Sequence, residues 1–282
     1  MNFSQPAADV YMPDGSTVAR ALGRTTHLCL AAHQDDIEIM AYHGIAECHG
    51  RKDRWFTGVV LTDGSGSPRS GKFAHLSDEQ MKAVRRAEQR KAAKLGQYSA
   101  VLQLAHPSTV VKSAKSAAVR EDLAALLAAC PAQIVYLHNP ADKHDTHVAC
   151  FLRCLEALRA LPKSRRPKQV LGCEVWRNLD WLVDTDKVLL DDSANPALAA
   201  KLIGAVQSQI AGGKRYDRAI AGRRLANATF HTSHATDAAG AVTWAMDLTP
   251  LVFDRKISVE KFTLAHLGRL RADVAARLKK FI

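Results

Sequence analysis

Between residues 25 and 177 the chain alternates short, nearly unbroken apolar runs with longer segments whose apolar residues recur every three or four positions. The runs "TTHLCLAA" (25 to 32), "RWFTGVVLTDG" (54 to 64), "AVLQLA" (100 to 105), "QIVYLHNP" (133 to 140) and "QVLGCEVWR" (169 to 177) predict strands covered on both faces. The segments between them predict helices: "EIMAYHGIAECHG", "SDEQMKAVRRAEQRKAAKLG" with Ser77 as N-cap and Gly96 as stop, "AAVREDLAALLAAC" and "THVACFLRCLEALRAL". Such alternation predicts parallel βαβ units and an α/β fold, a Rossmann-like three-layer sandwich around a mostly parallel sheet. Residues 1–24 read as an N-terminal extension, 25–180 as the Rossmann-like core, and 181–282 as an elaborated C-terminal part of the same domain. In that last part the pattern predicts a strand at 182–190, helices at about 196–210 and 215–228, and a Gly/Thr/Ala-rich loop at 231–243. A final helix carries Phe262, Leu267, Leu270, Val274 and Leu278 at three- and four-residue steps, which predicts one packing stripe.

A chain of 282 residues that is 47% hydrophobic can bury a large core. No apolar stretch approaches the roughly 20 residues needed to span a bilayer, and the N-terminus lacks the basic start and apolar run of a signal peptide, so the expected compartment is the cytoplasm. Six scattered cysteines without CxxC spacing read as reduced core thiols, including Cys150 and Cys154 one helical turn apart. The net charge of +11 suits an anionic partner, but basic residues are spread along the chain, aromatic residues are 6%, and no nucleic-acid motif accompanies them. Nucleic acid is therefore not the expected partner.

Ligands of parallel α/β sheets bind at the carboxyl ends of the strands. Two clusters of histidine and acid sit at such ends. "AAHQDDIEIM" supplies His33, Asp35 and Asp36 after the first strand, and "HNPADKHDTH" supplies His138, Asp142, His144, Asp145 and His147 after the fourth. A catalytic zinc site uses three protein ligands, often two histidines and a carboxylate, and keeps a position for water. His33, one of the two aspartates, and His144 or His147 would provide that set, leaving an acid and a histidine for proton transfer. Each fragment alone has a plain structural explanation as a cap, turn or core residue; their joint placement at two strand ends does not.

"AAHQDDIEIM" resembles the AHPDD(I)E signature, and "NPADKHDTHVA" the P-x-D-x-H-x-x-H segment, of the PIG-L/LmbE-like N-acetylglucosaminyl deacetylases. "LTDGSGS", "RRAEQRKAAKLG" and "VQSQIAGG" with the basic helix after it resemble further family segments in the same order, so the likeness runs from about residue 25 to 230. It implies that His33, Asp36 and His147 hold one divalent metal, usually Zn2+, that Asp35 is the general base, and that His144, protonated, faces the oxyanion or the leaving amine. It further implies that Asp142 orients that histidine or contacts substrate, and that Arg85 matches a substrate-contacting arginine.

The chain departs from the family at several places. Gln34 replaces a proline, which would loosen the loop, and Met40, Tyr42 and His43 replace small residues, which would make the pocket wall bulkier. Thr146 replaces an acid. "LAHPS" lacks an aspartate whose space His106 or Ser108 would fill. A second HxxH, His231 and His234, is assigned to substrate contact. The expected activity is removal of an N-acetyl group from an N-acetylglucosamine-type amino sugar or conjugate by a cytoplasmic enzyme, with a homo-oligomer as one expected assembly. A zinc amidase on a non-sugar substrate and a non-catalytic Rossmann-like binding module are the alternatives. Excess positive charge, with Arg85, Arg215, Arg223 and Arg224 near the expected pocket, suggests an anionic aglycone.

Overall fold

Short β-rich apolar runs that cannot be solvated on either side stack here into one sheet. The computed structural model describes residues 1–282 and contains eight strands: β1 Asp9–Tyr11, β2 His27–Ala31, β3 Phe56–Thr62, β4 Ala100–His106, β5 Ile134–His138, β6 Gln169–Cys173, β7 Val188–Asp191 and β8 Val242–Asp247. They lie in the order β1-β4-β3-β2-β5-β6-β8-β7. The five strands β4, β3, β2, β5 and β6 run parallel, and β1, β8 and β7 pair antiparallel at the margins. Every side chain of β2 and β3 is buried, because helices cover both faces and each face carries its own apolar core. The helices 18–23, 117–129 and 145–160 pack on one face; 36–48, 78–95 and 196–203 pack on the other. No helix is long and apolar enough to cross a membrane.

β1 lies at the edge of the sheet beside β4; from β2 the chain builds outward to β3 and β4, then returns to build β5 and β6 on the other side of β2. The reversal of strand order between β2 and β5, which themselves run parallel, opens a crevice at their carboxyl ends, which is where such sheets bind ligands. Both polar clusters found in the sequence lie there.

Several expectations are corrected. "EIMAYHGIAECHG" is two helices, Asp36–Met40 and Tyr42–Cys48, divided at Ala41. Met40 and Tyr42 do not wall the pocket: both are buried in the core, and the Tyr42 hydroxyl donates to the carbonyls of Ala194 and Asn195. The strand expected at 182–190 is a 3-10 turn, Asp184–Asp186, followed by β7. The loop expected at 231–243 gives way at Val242 to β8, which inserts between β6 and β7. The stripe on the last helix, Val259–Leu278, is largely uncovered, with Leu267, Val274 and Leu278 exposed. That helix is fastened at its start, by Phe262 on the core and by buried His266 beside Asp186, and its far half finds no partner within the chain.

Candidate active site

β2 ends at Ala31, and the chain turns sharply to bring His33, Asp35 and Asp36 over the crevice. Asp35 has φ 125°, a conformation costly for a residue with a Cβ. It stands at the N-cap position of the helix Asp36–Met40 but makes no capping bond. Its carboxylate instead accepts from Arg85 Nη2 at 3.0 Å. Asp36 turns back: its Oδ2 accepts from the His33 backbone N–H at 2.8 Å and lies 3.2 Å from His33 Nδ1.

From the other strand end, His144 caps the helix Asp145–Ala160, its Nδ1 accepting from the Thr146 N–H at 3.2 Å. An imidazole that accepts at Nδ1 carries its proton on Nε2 when neutral. One turn on, His147 directs Nε2 at the first cluster, 3.1 Å from His33 Nδ1 and 3.4 Å from Asp36 Oδ2. Its Nδ1 lies 3.3 Å from Asp142 Oδ2, a carboxylate positioned to fix the Nδ1–H tautomer and leave the Nε2 lone pair free. Asp142 also accepts from the backbone N–H groups of His144 and Trp176. It orients His147 through its side chain and His144 through its backbone, and it is not part of the cavity wall.

The three atoms His33 Nδ1, Asp36 Oδ2 and His147 Nε2 are thus 3.1, 3.2 and 3.4 Å apart. Tetrahedral ligands at zinc distances of about 2.0–2.1 Å are separated by about 3.3 Å, so the triangle has the size such an ion needs. Two overlapping sets of possible ligands exist, one with His144 beside His33 and His147, the other with His138 beside Asp36 and His147. His138 Nε2, 3.4 Å from Asp36, already accepts the Ala32 N–H at 3.0 Å, which leaves it a supporting place beneath the carboxylate. Sequence reasoning placed His138 in the cluster without a role; its position as the last residue of β5 was the available signal.

The electrostatics match an ion-binding state. Burial alone would raise the Asp36 pKa, but His147 and His138 beside it hold the carboxyl well below its ordinary range. Burial lowers His147 to about 4, against the pull of Asp36, and so keeps the imidazole neutral. Burial pushes Asp35 up to about 7, against the pull of the Arg85 guanidinium. His144 is lowered by burial and, next, by His33, with the Lys112 charge adding in the same direction.

A cavity of about 610 Å³ opens over these groups. Its wall includes His33, Asp35, Asp36, Arg85, His144, Thr146, Trp176 and Tyr216, with Ser108 and the loop 62–68 opposite. Arg85 is 1% exposed and spans from Asp35 to Glu88, 3.6 Å away on its other side. Gln34 does not loosen its loop, since its amide donates to Gln103 Oε1 at 3.2 Å and its carbonyl accepts from Arg85. Ser108 reaches the cavity; His106 is fully buried against Asp122 at 2.9 Å and does not. His231 and His234 lie in the loop after the helix Tyr216–Thr229, half-buried and exposed respectively, and neither lines the cavity.

Residues 28–158 match the family model described as "PIG-L: GlcNAc-PI de-N-acetylase". No curated protein matches the chain. Among solved structures, the N,N'-diacetylchitobiose deacetylase from Pyrococcus horikoshii is similar over 86% of this chain and 90% of its own, with 17% identity and a TM-score of 0.62. The 4-carboxy-2-hydroxymuconate hydratase GalB from Pseudomonas putida KT2440 is similar over 79% and 96%, with 18% identity and a TM-score of 0.61. The A40926 pseudoaglycone deacetylase Dbv21 is similar over 79% and 97%, with 20% identity and a TM-score of 0.55.

Proposed function

Residues 28–158 are a PIG-L domain, and on that premise we propose that the protein is a zinc-dependent N-deacetylase acting on an N-acetylglucosamine-type amino sugar or conjugate. The observation that carries the reading is the convergence of His33 Nδ1, Asp36 Oδ2 and His147 Nε2 within 3.4 Å of one another, next to a carboxylate that is not part of the triangle. His33, Asp36 and His147 would hold the ion. When bound, zinc supplies a Lewis acid for the amide carbonyl and lowers the pKa of water to about 7.

The chain's own groups do the rest. Asp35, fastened by Arg85, takes the proton from the attacking water. His144, with its proton on Nε2, would hydrogen-bond the developing oxyanion, and the proton that Asp35 took from water passes to the departing nitrogen. Water adds to the carbonyl carbon, the C–N bond breaks, and acetate and a free amine leave. Asp142 keeps His147 in register. Trp176, with Tyr216 edge-on to it at 6.4 Å, offers an aromatic face for a sugar ring beside His144. Arg85 serves Asp35 and the substrate end of the wall together. We place the enzyme in the cytoplasm, where its six free cysteines stay reduced.

A hydratase and deacetylases share this fold, so the fold alone does not choose the reaction. Acetate release does. The purified protein, stripped by chelation and assayed with and without added zinc, should release acetate from N-acetylglucosamine conjugates in the zinc arm. N-acetylated amines lacking a sugar form the second arm, and turnover confined to them would transfer the reading to a non-sugar amidase. Zinc-loaded protein that releases acetate from neither arm would overturn the proposal.

A further inference from the structure

The Arg85 guanidinium is buried at the cavity wall and is held from both sides. Its Nη2 donates to Asp35 Oδ2 at 3.0 Å and to the Gln34 carbonyl, while its Nη1 lies 3.6 Å from Glu88 Oε2 and 3.5 Å from Ser208 Oγ. Glu88 follows Arg85 by three residues on the helix Asp78–Leu95, so both side chains leave the same face. The Glu88 carboxylate is itself fixed at two points. Oε1 accepts the Ser208 backbone N–H and Oε2 accepts the Ser208 hydroxyl, both at 2.6 Å. Arg85, Glu88 and Ser208 are all buried, so water competes little for these bonds.

One carboxylate balances the charge of a buried arginine, and Asp35 already supplies it. Glu88 adds a second buried acid that charge balance does not call for. Its effect is geometric. Held by Asp35 alone, the guanidinium could swing on its long side chain and follow any movement of that carboxylate. A planar fork fixed at its far nitrogen has no such freedom, so Nη1 set on Glu88 and Ser208 also sets the direction of Nη2 toward Asp35. Asp35 takes no support from its own helix, since it makes no capping bond and stands at φ 125°. Its orientation rests on Arg85, and that of Arg85 on Glu88. Ser208 comes from the helix Gln207–Ile210, outside the matched residues 28–158, and its neighbour Gln209 lines the cavity. The grip on the base therefore starts in a segment that also walls the substrate side.

Resting on the reading of Asp35 as general base, we propose that Glu88, clamped by Ser208, is a positioning residue that aims Arg85, and through it Asp35, at the attacking water. Glu88→Gln removes the charge on the far side of Arg85 and keeps the size of the side chain. In the zinc-loaded protein it should lower kcat for acetate release roughly tenfold, an ordinary coupling for residues in one network, with KM and zinc content near wild type. Ser208→Ala, which leaves the backbone N–H in place, should lower kcat about threefold. In the Asp35→Asn background neither change should cost anything further, because the group they serve is gone. A loss of packing or of folded protein would instead lower the residual rate by the same factor. Equal losses in both backgrounds, or wild-type kcat in the variants, would overturn the proposal; should Glu88→Gln not fold, Ser208→Ala decides by the same comparison. A second readout is independent of turnover: NMR of zinc-loaded protein labelled on its arginine nitrogens. The Arg85 Nη groups, assigned by their loss in Arg85→Lys, should give separate, slowly rotating signals that merge in Glu88→Gln. If no conjugate is hydrolysed, that merging sustains the clamp while the deacetylase reading falls. Arg85 signals unaltered by Glu88→Gln would overturn the clamp whatever the turnover.

Discussion

At the residue scale, adjacent carboxylates in "HQDDIE" face opposite ways because the backbone at Asp35 adopts φ 125°. Asp36 joins His33 and His147, while Asp35 turns to Arg85. Sequence residues alone could nominate one ligand and one base without saying which is which; the resemblance to the family ordered them, and the opposed orientations support that order. Asp35→Asn is expected to keep bound zinc and lose turnover by roughly 10²-fold or more, the usual scale for a general base. Asp36→Ala, His33→Ala and His147→Ala should each lose zinc as measured by metal analysis, and full retention in all three would refute the ligand set. Because His144 Nδ1 accepts the Thr146 N–H, the role proposed for this ring is that of a neutral Nε2–H donor, where the resemblance implies an imidazolium. A separate histidine, His27, is expected to contribute to acid sensitivity. Burial lowers His27 to about 4, with Glu47 opposing weakly, whereas the unfolded chain takes up that proton near 6.5. The unfolded state then binds more protons between these values, so stability is fully present above about 6.5 and drains away as pH falls toward 4. His27→Gln should flatten that loss by on the order of 2 kcal/mol in denaturant titrations at pH 7 and pH 4.5. An equal acid loss in the variant would show that other groups carry it.

At the scale of elements, the parallel strands were legible because a strand covered on both faces must be apolar almost throughout, as β2 and β3 are. β8 was not legible. Its "VTWAMD" is short, follows a run of small residues, and hides a polar Thr243 whose hydroxyl is satisfied only by Asp192 from the segment after β7. A bond between distant segments leaves no mark on local periodicity. The same limit explains Met40 and Tyr42, whose size suggested a bulkier pocket: the helices 36–40 and 42–48 turn those side chains into the core, and the space for Tyr42 is made by the loop at 194–195. What the helix 42–48 needs is a small residue toward β5. A Cβ on Gly44 would lie 2.6 Å from the Tyr136 ring, a rigid and fully buried neighbour. Gly44→Ala should therefore cost about 1–3 kcal/mol of stability by overpacking, read as a lower midpoint in denaturant. Retention of the wild-type midpoint would mean the helix can slide away from the sheet.

At the scale of the whole molecule, the chain divides its labour unevenly. The family match at 28–158 contains every proposed ligand, base and oxyanion donor, together with the reversal of strand order between the parallel strands β2 and β5 at whose ends they meet. Trp176, Gln209, Lys214 and Tyr216, which shape the substrate side, come from beyond it. The chemistry was therefore readable from short motifs, whereas the substrate wall, assembled from single residues on loops, carried no spacing to recognise. The last helix follows a third logic. Its apolar repeat read as a packing stripe, yet within Val259–Leu278 only His266 is buried, held with Arg269 on Asp186, while Phe262 packs partly on the core. Past Leu270 the side chains are exposed apart from half-buried Asp273. The contacts that fasten this helix all lie before residue 270, so the remainder adds little to the stability of a single chain. Protein truncated after residue 270 should keep its zinc content and acetate release, with Tm within about 3 °C of the full chain, the shift that about 1 kcal/mol produces in a chain of this size. Protein truncated before residue 259 loses Phe262 and His266 from their contacts and should melt several degrees lower. A large fall in Tm from the shorter deletion would place residues 271–282 within the cooperative fold, and their apolar side chains would then need a partner surface that the single chain does not provide.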